Sequence, residues 1–305
     1  MNLEKGPTFN SKILLFGEYS LMKGSMALSI PFEKYNGQLL FDGNVKKLKS
    51  NHYSVEYLID YLSFLTKSGF DSQLKLSEFK KDILQGLIFE TNIPISYGLG
   101  SSGAIVASIY NAYAITRTNK LIELKSIFSS MESYYHGKSS GLDPLVSYLN
   151  KALLINENQE IETVVLAEIK NIGKGGIFLI DTKTVGETQP LVNWFLNEYK
   201  KPAYKSKIQN QLIPLNSSSI SNLLSGNFDF LISDAKQISQ FTLDNFKPMI
   251  PDSIKNIWEQ GLQTDSYYLK LCGSGGGGMM LGFTDDVDAV YAEISRFEFQ
   301  ELLRF

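Results

Sequence analysis

The sequence predicts an α+β fold in two domains, and three observations carry that reading. A chain of 305 residues is long enough for two modest cores. Short apolar runs of strand length are mixed irregularly with helical patterns, whereas a doubly wound parallel sheet would alternate them. Hydrophobic residues make up 43% and charged residues 20%, the balance of a water-soluble globular enzyme. No repeat or low-complexity linker marks a division. The expected boundary lies between 165 and 175, giving domains 1–165 and 166–305.

Taken in order, residues 13–16, 27–30 and 38–41 read as short strands. Val55, Leu58, Ile59, Leu62 and Leu65 recur at helical spacing, and Gly69 supplies a stop. Residues 87–89 and 93–96 are strand-like. Residues 104–115 are apolar nearly all round, which predicts a buried helix, and a second helix is expected over 121–135. Asp143-Pro144 reads as a helix start, with Asp capping and Pro in the first turn. Strands are expected at 152–155 and 177–180. Residues 189–262 read as mostly helical, broken by the polar run 216–219. A strand (267–271), a glycine-rich turn, a strand (279–283) and a helix (287–295) follow.

Composition excludes several function classes. A net charge of −3 offers no positive field to nucleic acid or an anionic membrane. One cysteine, Cys272, excludes an internal disulfide framework, and a lone cysteine at a strand end reads as packing. Two histidines, His52 and His136, argue against a histidine metal centre. The first apolar run is four residues long, too short for a signal-peptide core. No stretch approaches the roughly 20 apolar residues that span a bilayer. A cytoplasmic location is expected.

Three motifs carry chemistry. The first is Pro94-Ile95-Ser96-Tyr97-Gly98-Leu99-Gly100-Ser101-Ser102-Gly103, running directly into the apolar helix. Glycines let backbone approach a ligand, a helix start offers unpaired N–H groups to an anion, and the serines add hydroxyls. The bland alternative is a tight turn in which a serine caps the helix. A dinucleotide fingerprint also matches formally, with Glu123 about 20 residues on, but Pro94 and Ser96 stand where a buried strand should be apolar. A nucleotide P-loop fails, because Glu132 occupies the glycine position upstream of Gly137-Lys138-Ser139. The second motif places Glu132 and Asp143 on either side of His136-Gly137-Lys138-Ser139-Ser140-Gly141-Leu142. Phosphoryl transfer to an alcohol needs one carboxylate near the hydroxyl and another for Mg²⁺; the alternative is a helix cap and a solvated glutamate. The third is Lys270-Leu271-Cys272-Gly273-Ser274-Gly275-Gly276-Gly277-Gly278, with five glycines in six residues between two strands, more than a hairpin needs.

With the opening Ser11-Lys12-Ile13-Leu14-Leu15-Phe16-Gly17-Glu18-Tyr19-Ser20, these stretches resemble the signature motifs of the galactokinase, homoserine, mevalonate and phosphomevalonate kinase (GHMP) superfamily, in the family's order. Four details resemble its mevalonate kinases: Lys12 followed by Gly17-Glu18, the His-Gly-x-x-Ser-Gly-x-Asp run with Glu132 upstream, Asp181-Thr182-Lys183 with Thr188, and the Gly-x-Gly-Gly-Gly-Gly turn. The resemblance covers residues 10–283, loosely over 190–262. It implies an N-terminal ribosomal protein S5 domain 2-like half and a C-terminal ferredoxin-like α/β sandwich. It also implies ATP and Mg²⁺ as cofactors, with a small-molecule alcohol as partner and a monomer or homodimer as the assembly.

The resemblance distributes roles as follows. Pro94 and the run Gly98, Leu99, Gly100, Ser101, Ser102 and Gly103 would cradle the nucleotide phosphates, with Ser102 and Glu132 on Mg²⁺. Asp143 would face the substrate hydroxyl beside Lys12. Glu18, Tyr19, Thr188, Gly275 and Gly276 would contact substrate, and mevalonate phosphorylated at its primary hydroxyl is the implied reaction. Phosphomevalonate or a sugar is the alternative substrate, Lys183 and Lys138 being the cations available for a substrate phosphate. A nucleotide-binding member without catalysis is an alternative of a different class. The chain departs from mevalonate kinases at four positions: Tyr19 replaces His, Gly103 and Ser274 replace Ala, and Pro144 replaces Asn.

Overall fold

A computed structural model describes residues 6–41, 51–137, 139–166 and 173–305. The chain divides into two compact units that interleave along the sequence. The first comprises Met1–Lys12, Ile30–Ile95 and Leu99–Lys151; the second comprises Ile13–Ser29, Ser96–Gly98 and Ala152–Phe305. A single boundary at residue 165 does not describe this interleaving. It arises because strands β1 (Phe9–Phe16) and β2 (Ala27–Phe41) each continue from one unit into the other.

In the first unit, the later part of β2 pairs antiparallel with β4 (Leu87–Thr91), which pairs in turn with β3 (Asn51–Tyr53). Helices α1 (Val55–Lys67), α2 (Leu76–Leu84), α3 (Ser101–Tyr113), α4 (Leu121–His136) and α5 (Leu142–Leu149) make the rest. Ser54 caps α1 by accepting the Tyr57 N–H at 3.3 Å, and Gly69 follows the helix in a left-handed conformation, as its stop signal predicts. Ile105, Ile109, Phe128 and Leu145 are fully buried, so α3 sits among its neighbours apolar on every side, as expected.

In the second unit, the start of β2 pairs with β5 (Ala152–Ile155), and β5 with β6 (Ile161–Val164). A separate antiparallel sheet runs β10–β7–β9–β8, where β7 is Gly176–Asp181, β8 Tyr268–Leu271, β9 Met279–Thr284 and β10 Phe299–Arg304. Helices α6 (Thr188–Glu198), α7 (Pro202–Lys207), α8 (Ile213–Ser225), α9 (Phe228–Asn245), α10 (Asp252–Thr264) and α11 (Val287–Glu293) accompany it. Phe178, Phe195, Trp258 and Leu269 are buried in one core of this unit. Among the described residues, no helix is long and apolar enough to cross a membrane.

Four local expectations are corrected. Residues 27–30 and 38–41 belong to one fifteen-residue strand, whose half-exposed middle, with Glu33, Lys34 and Asn36, hides its continuity. Residues 93–96 form turns, because Pro94 cannot donate to a ladder and Ser96 adopts φ 63°. The polar run 216–219 lies inside α8: the Asn216 amide donates to Ser25 Oγ and to the Met26 carbonyl, both at 2.8 Å, and Ser219 Oγ donates to Leu215 O at 2.8 Å. Asp143 caps nothing; Gly141 occupies the cap position of α5, and Asp143 turns to an ion pair.

Candidate active site

Asp143, at the start of α5, lies 3.0 Å from the Lys12 ammonium, which β1 carries in from the chain's opening. The Lys12 side chain is 5% exposed and that of Asp143 31%, so a buried cation faces a carboxylate that solvent or a ligand can reach. The Lys12 backbone N–H donates to Leu99 O at 3.0 Å, tying β1 to the first glycine turn. Glu132, near the end of α4, is 3% exposed and accepts the Ser102 hydroxyl at 2.9 Å and the Ser139 hydroxyl on its other oxygen. Burial, aided by the negative charge of Asp143, pushes the Glu132 carboxyl up to about 7 against the pull of the two hydroxyls and Lys12. Lys12, Ser102, Glu132, Ser139 and Asp143 therefore form one polar cluster within the first unit.

The first glycine turn makes room for that cluster. A β-carbon at Gly100 would lie 2.8 Å from Lys12 Cγ, and one at Gly103 would lie 2.8 Å from both the Asp143 carbonyl carbon and the Pro144 nitrogen. The glycines thus let Lys12 and Asp143 come close, a structural demand separate from ligand approach. Gly100 precedes α3 in a left-handed conformation, φ 75°. Tyr53 hydrogen-bonds Ser101, which leaves Ser102 as the serine directed at Glu132.

Ser102 Oγ and the Glu132 carboxylate are hard oxygen donors of the kind Mg²⁺ takes. A buried carboxylate held partly protonated in the absence of a cation is one that a divalent ion would stabilise, so the donor set fits. Among the described residues, no group of three or more His, Cys, Asp or Glu side chains could hold a metal by itself. Nucleotide phosphates and water would have to complete the coordination.

In the second unit, Glu18 and Lys270 form an ion pair, with side chains 7% and 5% exposed. The same ammonium donates to Leu271 O at 3.1 Å and lies 5.4 Å from the Phe16 ring centroid. Tyr19 adopts φ 59°, an uncommon conformation for a bulky residue, and packs on Phe195 and Phe246 with centroids 4.9 and 5.4 Å away. Its hydroxyl donates to the Ser274 carbonyl at 2.6 Å, and burial raises its pKa so that the phenol keeps its proton. Thr188 Oγ1 and Ser274 Oγ lie 3.1 Å apart.

The third motif is packed against the protein itself. A β-carbon at Gly275 would lie 2.7 Å from Met249 O, one at Gly276 2.6 Å from Leu191 Cδ1, and one at Gly98 2.7 Å from Cys272 O. Gly278 N–H donates to Thr184 O at 2.7 Å, and its carbonyl accepts from the Thr182 backbone at 3.0 Å, suturing the loop after β7 to this turn. Pro94 is half-buried in the turn before Tyr97. Lys183 Nζ lies 2.9 Å from Asp181 and 2.6 Å from Glu298. Lys138 and the side chain of His136 lie outside the described residues.

Sequence reasoning gave no role to Ser139, Lys270 or Ser274. Ser139 had a signal, since it stands inside the loop between the two motif carboxylates. Lys270 and Glu18 are 252 residues apart, and nothing local announces their pairing. The dinucleotide reading finds no support: the residues before Gly98 are turns, β4 belongs to an antiparallel arrangement, and Glu123 is bound by Thr118 and Lys120 at the surface.

Residues 61–151 match the family model for the GHMP kinases N terminal domain. Mevalonate kinase of Pyrococcus horikoshii is 25% identical over 210 residues, 63% of this chain and 61% of that protein; mevalonate kinase of Thermococcus sibiricus is 24% identical over 214 residues, with the same coverage. The match therefore spans about three-fifths of the length of these curated relatives. The crystal structure of L. major mevalonate kinase in complex with R-mevalonate superposes with a TM-score of 0.64 at 16% identity, covering 96% of this chain and 90% of that one. Streptococcus pneumoniae phosphomevalonate kinase gives 0.66 at 14% identity, covering 98% and 99%, and Lactococcus lactis galactokinase 0.65 at 14%, covering 99% and 93%. These structural likenesses establish a shared mixed fold without separating substrates. Residues 61–151 thus resemble the GHMP kinases N terminal domain, the chain is similar in sequence to mevalonate kinases, and its fold is the mixed one these kinases share.

Proposed function

We propose that this chain is an ATP- and Mg²⁺-dependent kinase that phosphorylates the primary hydroxyl of mevalonate. The observation that carries the proposal is the 3.0 Å contact between buried Lys12 and accessible Asp143, beside a buried Glu132 bound by two serines. Asp143, 3.0 Å from the Lys12 ammonium and open to a ligand, is placed to orient an alcohol hydroxyl and accept its proton. The Lys12 ammonium also offers positive charge where a transferring phosphoryl group develops negative charge. Gly98 through Gly103 and the start of α3 supply backbone N–H groups for phosphate oxygens. Ser102 and Glu132 would hold Mg²⁺, which neutralises nucleotide charge when bound.

Mevalonate rests on the curated relatives and on the motif details. A phosphorylated alcohol would need a cation to receive its phosphate, and the Lys183 ammonium already lies between Asp181 and Glu298. The test is ADP release with mevalonate, phosphomevalonate, homoserine and galactose, each with ATP and Mg²⁺. Turnover of another alcohol alone moves the substrate; tight ATP binding with no ADP from any of them favours a non-catalytic member.

A further inference from the structure

In the second unit, α7 and α8 run into each other through a π turn, Ile208–Leu212, and together lie along α9. The turn has a local cause. Pro214 has no N–H to donate and its ring crowds the carbonyl one turn back, so the α ladder opens there. Ile213 N–H reaches back five residues to Ile208 O, and the turn is left one donor short. Between these helices lies a cavity of about 720 Å³. At one end the Lys207 ammonium donates to Asn245 Oδ1 at 2.9 Å. At the other, Ser218 Oγ and Asn222 Nδ2 donate to Asp234 Oδ2 at 2.6 and 2.9 Å. Asp234 is 9% exposed, yet among the described residues no cation pairs with it and no group donates to its Oδ1. Asp244, exposed on the same wall, accepts from Gln240 at 3.1 Å and lies about 15 Å from Asp234 by helical rise.

From this geometry we infer that the groove between α8 and α9 binds an aliphatic polyamine, with one ammonium on Asp234 and another on Asp244. A carboxylate nine-tenths buried without a counter-charge carries a desolvation cost that two neutral donors offset only in part. An ammonium supplies what Asp234 lacks, a positive charge and N–H donors for the second oxygen. Two carboxylates face one ammonium, Lys207, which is already bonded to Asn245, so the walls favour a cation. Between the two carboxylates, Pro214, Leu215 and Phe241 offer apolar surface to the methylenes of the ligand. A single metal ion is a poor fit, because carboxylates so far apart cannot share its coordination shell. The groove lies wholly within the second unit, and the inference does not depend on the kinase reading.

The experiment is calorimetric titration of the nucleotide-free chain with putrescine, spermidine and spermine, with octanediol as an uncharged control. Spermine should bind most tightly. Putrescine, too short to reach both carboxylates, should bind about two- to fivefold more weakly, the range for one exposed ion pair, and the diol not at all. Asp234→Asn keeps the side-chain shape and should weaken every amine about ten- to a hundredfold, as one lost charge-assisted hydrogen bond implies. Circular dichroism checks that this variant folds. Asp244→Asn, at an exposed position, tests the site even if it does not, and should weaken spermine about two- to fivefold while leaving putrescine unchanged. No binding of any amine to the wild type overturns the inference. Equal affinity in wild type and a folded Asp234→Asn overturns it too, since the amines would then be held by the acidic surface at large. Unchanged spermine affinity in Asp244→Asn overturns the two-point attachment, and Mg²⁺ that displaces spermine with comparable affinity overturns the ligand class.

Discussion

Gly103 offers a direct test of how the first unit sets its ion pair. Its missing β-carbon would lie 2.8 Å from the Asp143 carbonyl carbon and from the Pro144 nitrogen. Ordinary contact begins near 3.4 Å, so alanine falls short by 0.6 Å (3.4 − 2.8 = 0.6). Both obstructing atoms are backbone, and no rotamer change can relieve them. The first turn of α5 must therefore move, carrying Asp143 away from Lys12. Overpacking of this kind costs about 1–3 kcal/mol, and at about 2–4 °C per kcal/mol for larger domains the melting temperature should fall by about 2–12 °C. A 1 Å misplacement can cost about a hundredfold in rate, so a displacement of about 0.6 Å should lower kcat roughly tenfold. Scanning calorimetry and the coupled ADP assay read the two effects. Proline at 144 holds φ near −65° and stiffens the turn that must yield, so adding Pro144→Asn should recover part of the loss. Wild-type melting and turnover in Gly103→Ala would refute the steric reasoning, and a double variant no better than the single would refute the coupling to Pro144.

Three further outcomes follow from the same clusters. Asp143→Asn should lower kcat by about 10²–10⁴ if the carboxylate accepts the proton, with ATP affinity by calorimetry largely kept; a wild-type kcat removes it from the chemistry. Glu132 should make the cation-free protein lose stability with rising pH. Its folded pKa, about 7, lies above the ordinary 4.5, so the native state holds the extra proton between those values and stability declines as pH climbs through that window, by on the order of 3 kcal/mol in total. Urea melts in EDTA at pH 5 and 8 should show this decline flattened in Glu132→Gln, and parallel behaviour of the two proteins would rule out the buried carboxyl as its source. Lys270→Met should destabilise the fold by about 3–5 kcal/mol, because Glu18 is left as a buried charge without its cation; Glu18→Gln added to it should restore much of the loss, and an undisturbed single variant would show that the pair carries no such burden.

The sequence disclosed most of what is periodic or local. Helices α1, α3 and α4 follow from apolar spacing, with Gly69 marking the end of α1, and β7 and β9 from short apolar runs. It concealed β2's continuity, because the strand's polar middle breaks the run of apolar residues that marks a buried strand. It concealed β10 as well, whose half-exposed residues show no clean alternation. At the candidate site, residue types and order pointed to Lys12, Glu132 and Asp143, yet the reason for the glycines was only half visible. Their capacity to approach a ligand can be read from composition. That Gly100 and Gly103 clear space for Lys12 and Asp143, and Gly275 and Gly276 for Met249 and Leu191, depends on contacts between segments far apart in the chain.

The four departures from the mevalonate kinase pattern bear on catalysis once their positions are compared. Gly103 and Pro144 touch, since the space for a β-carbon on the one is occupied by the nitrogen of the other. Tyr19 and Ser274 touch through a hydrogen bond. Each substitution is accommodated by its partner: the smaller residue at 103 admits the rigid turn at 144, and the longer phenol at 19 finds its acceptor in the backbone of 274. Neither pair removes a polar group from the Lys12, Glu132 and Asp143 cluster. Substitutions that merely inactivated an ancestral site would have no need to fit each other in this way. A polar cluster left whole in the first unit, with substituted positions that fit together in contacting pairs, is what the proposed activity requires of Lys12, Glu132 and Asp143.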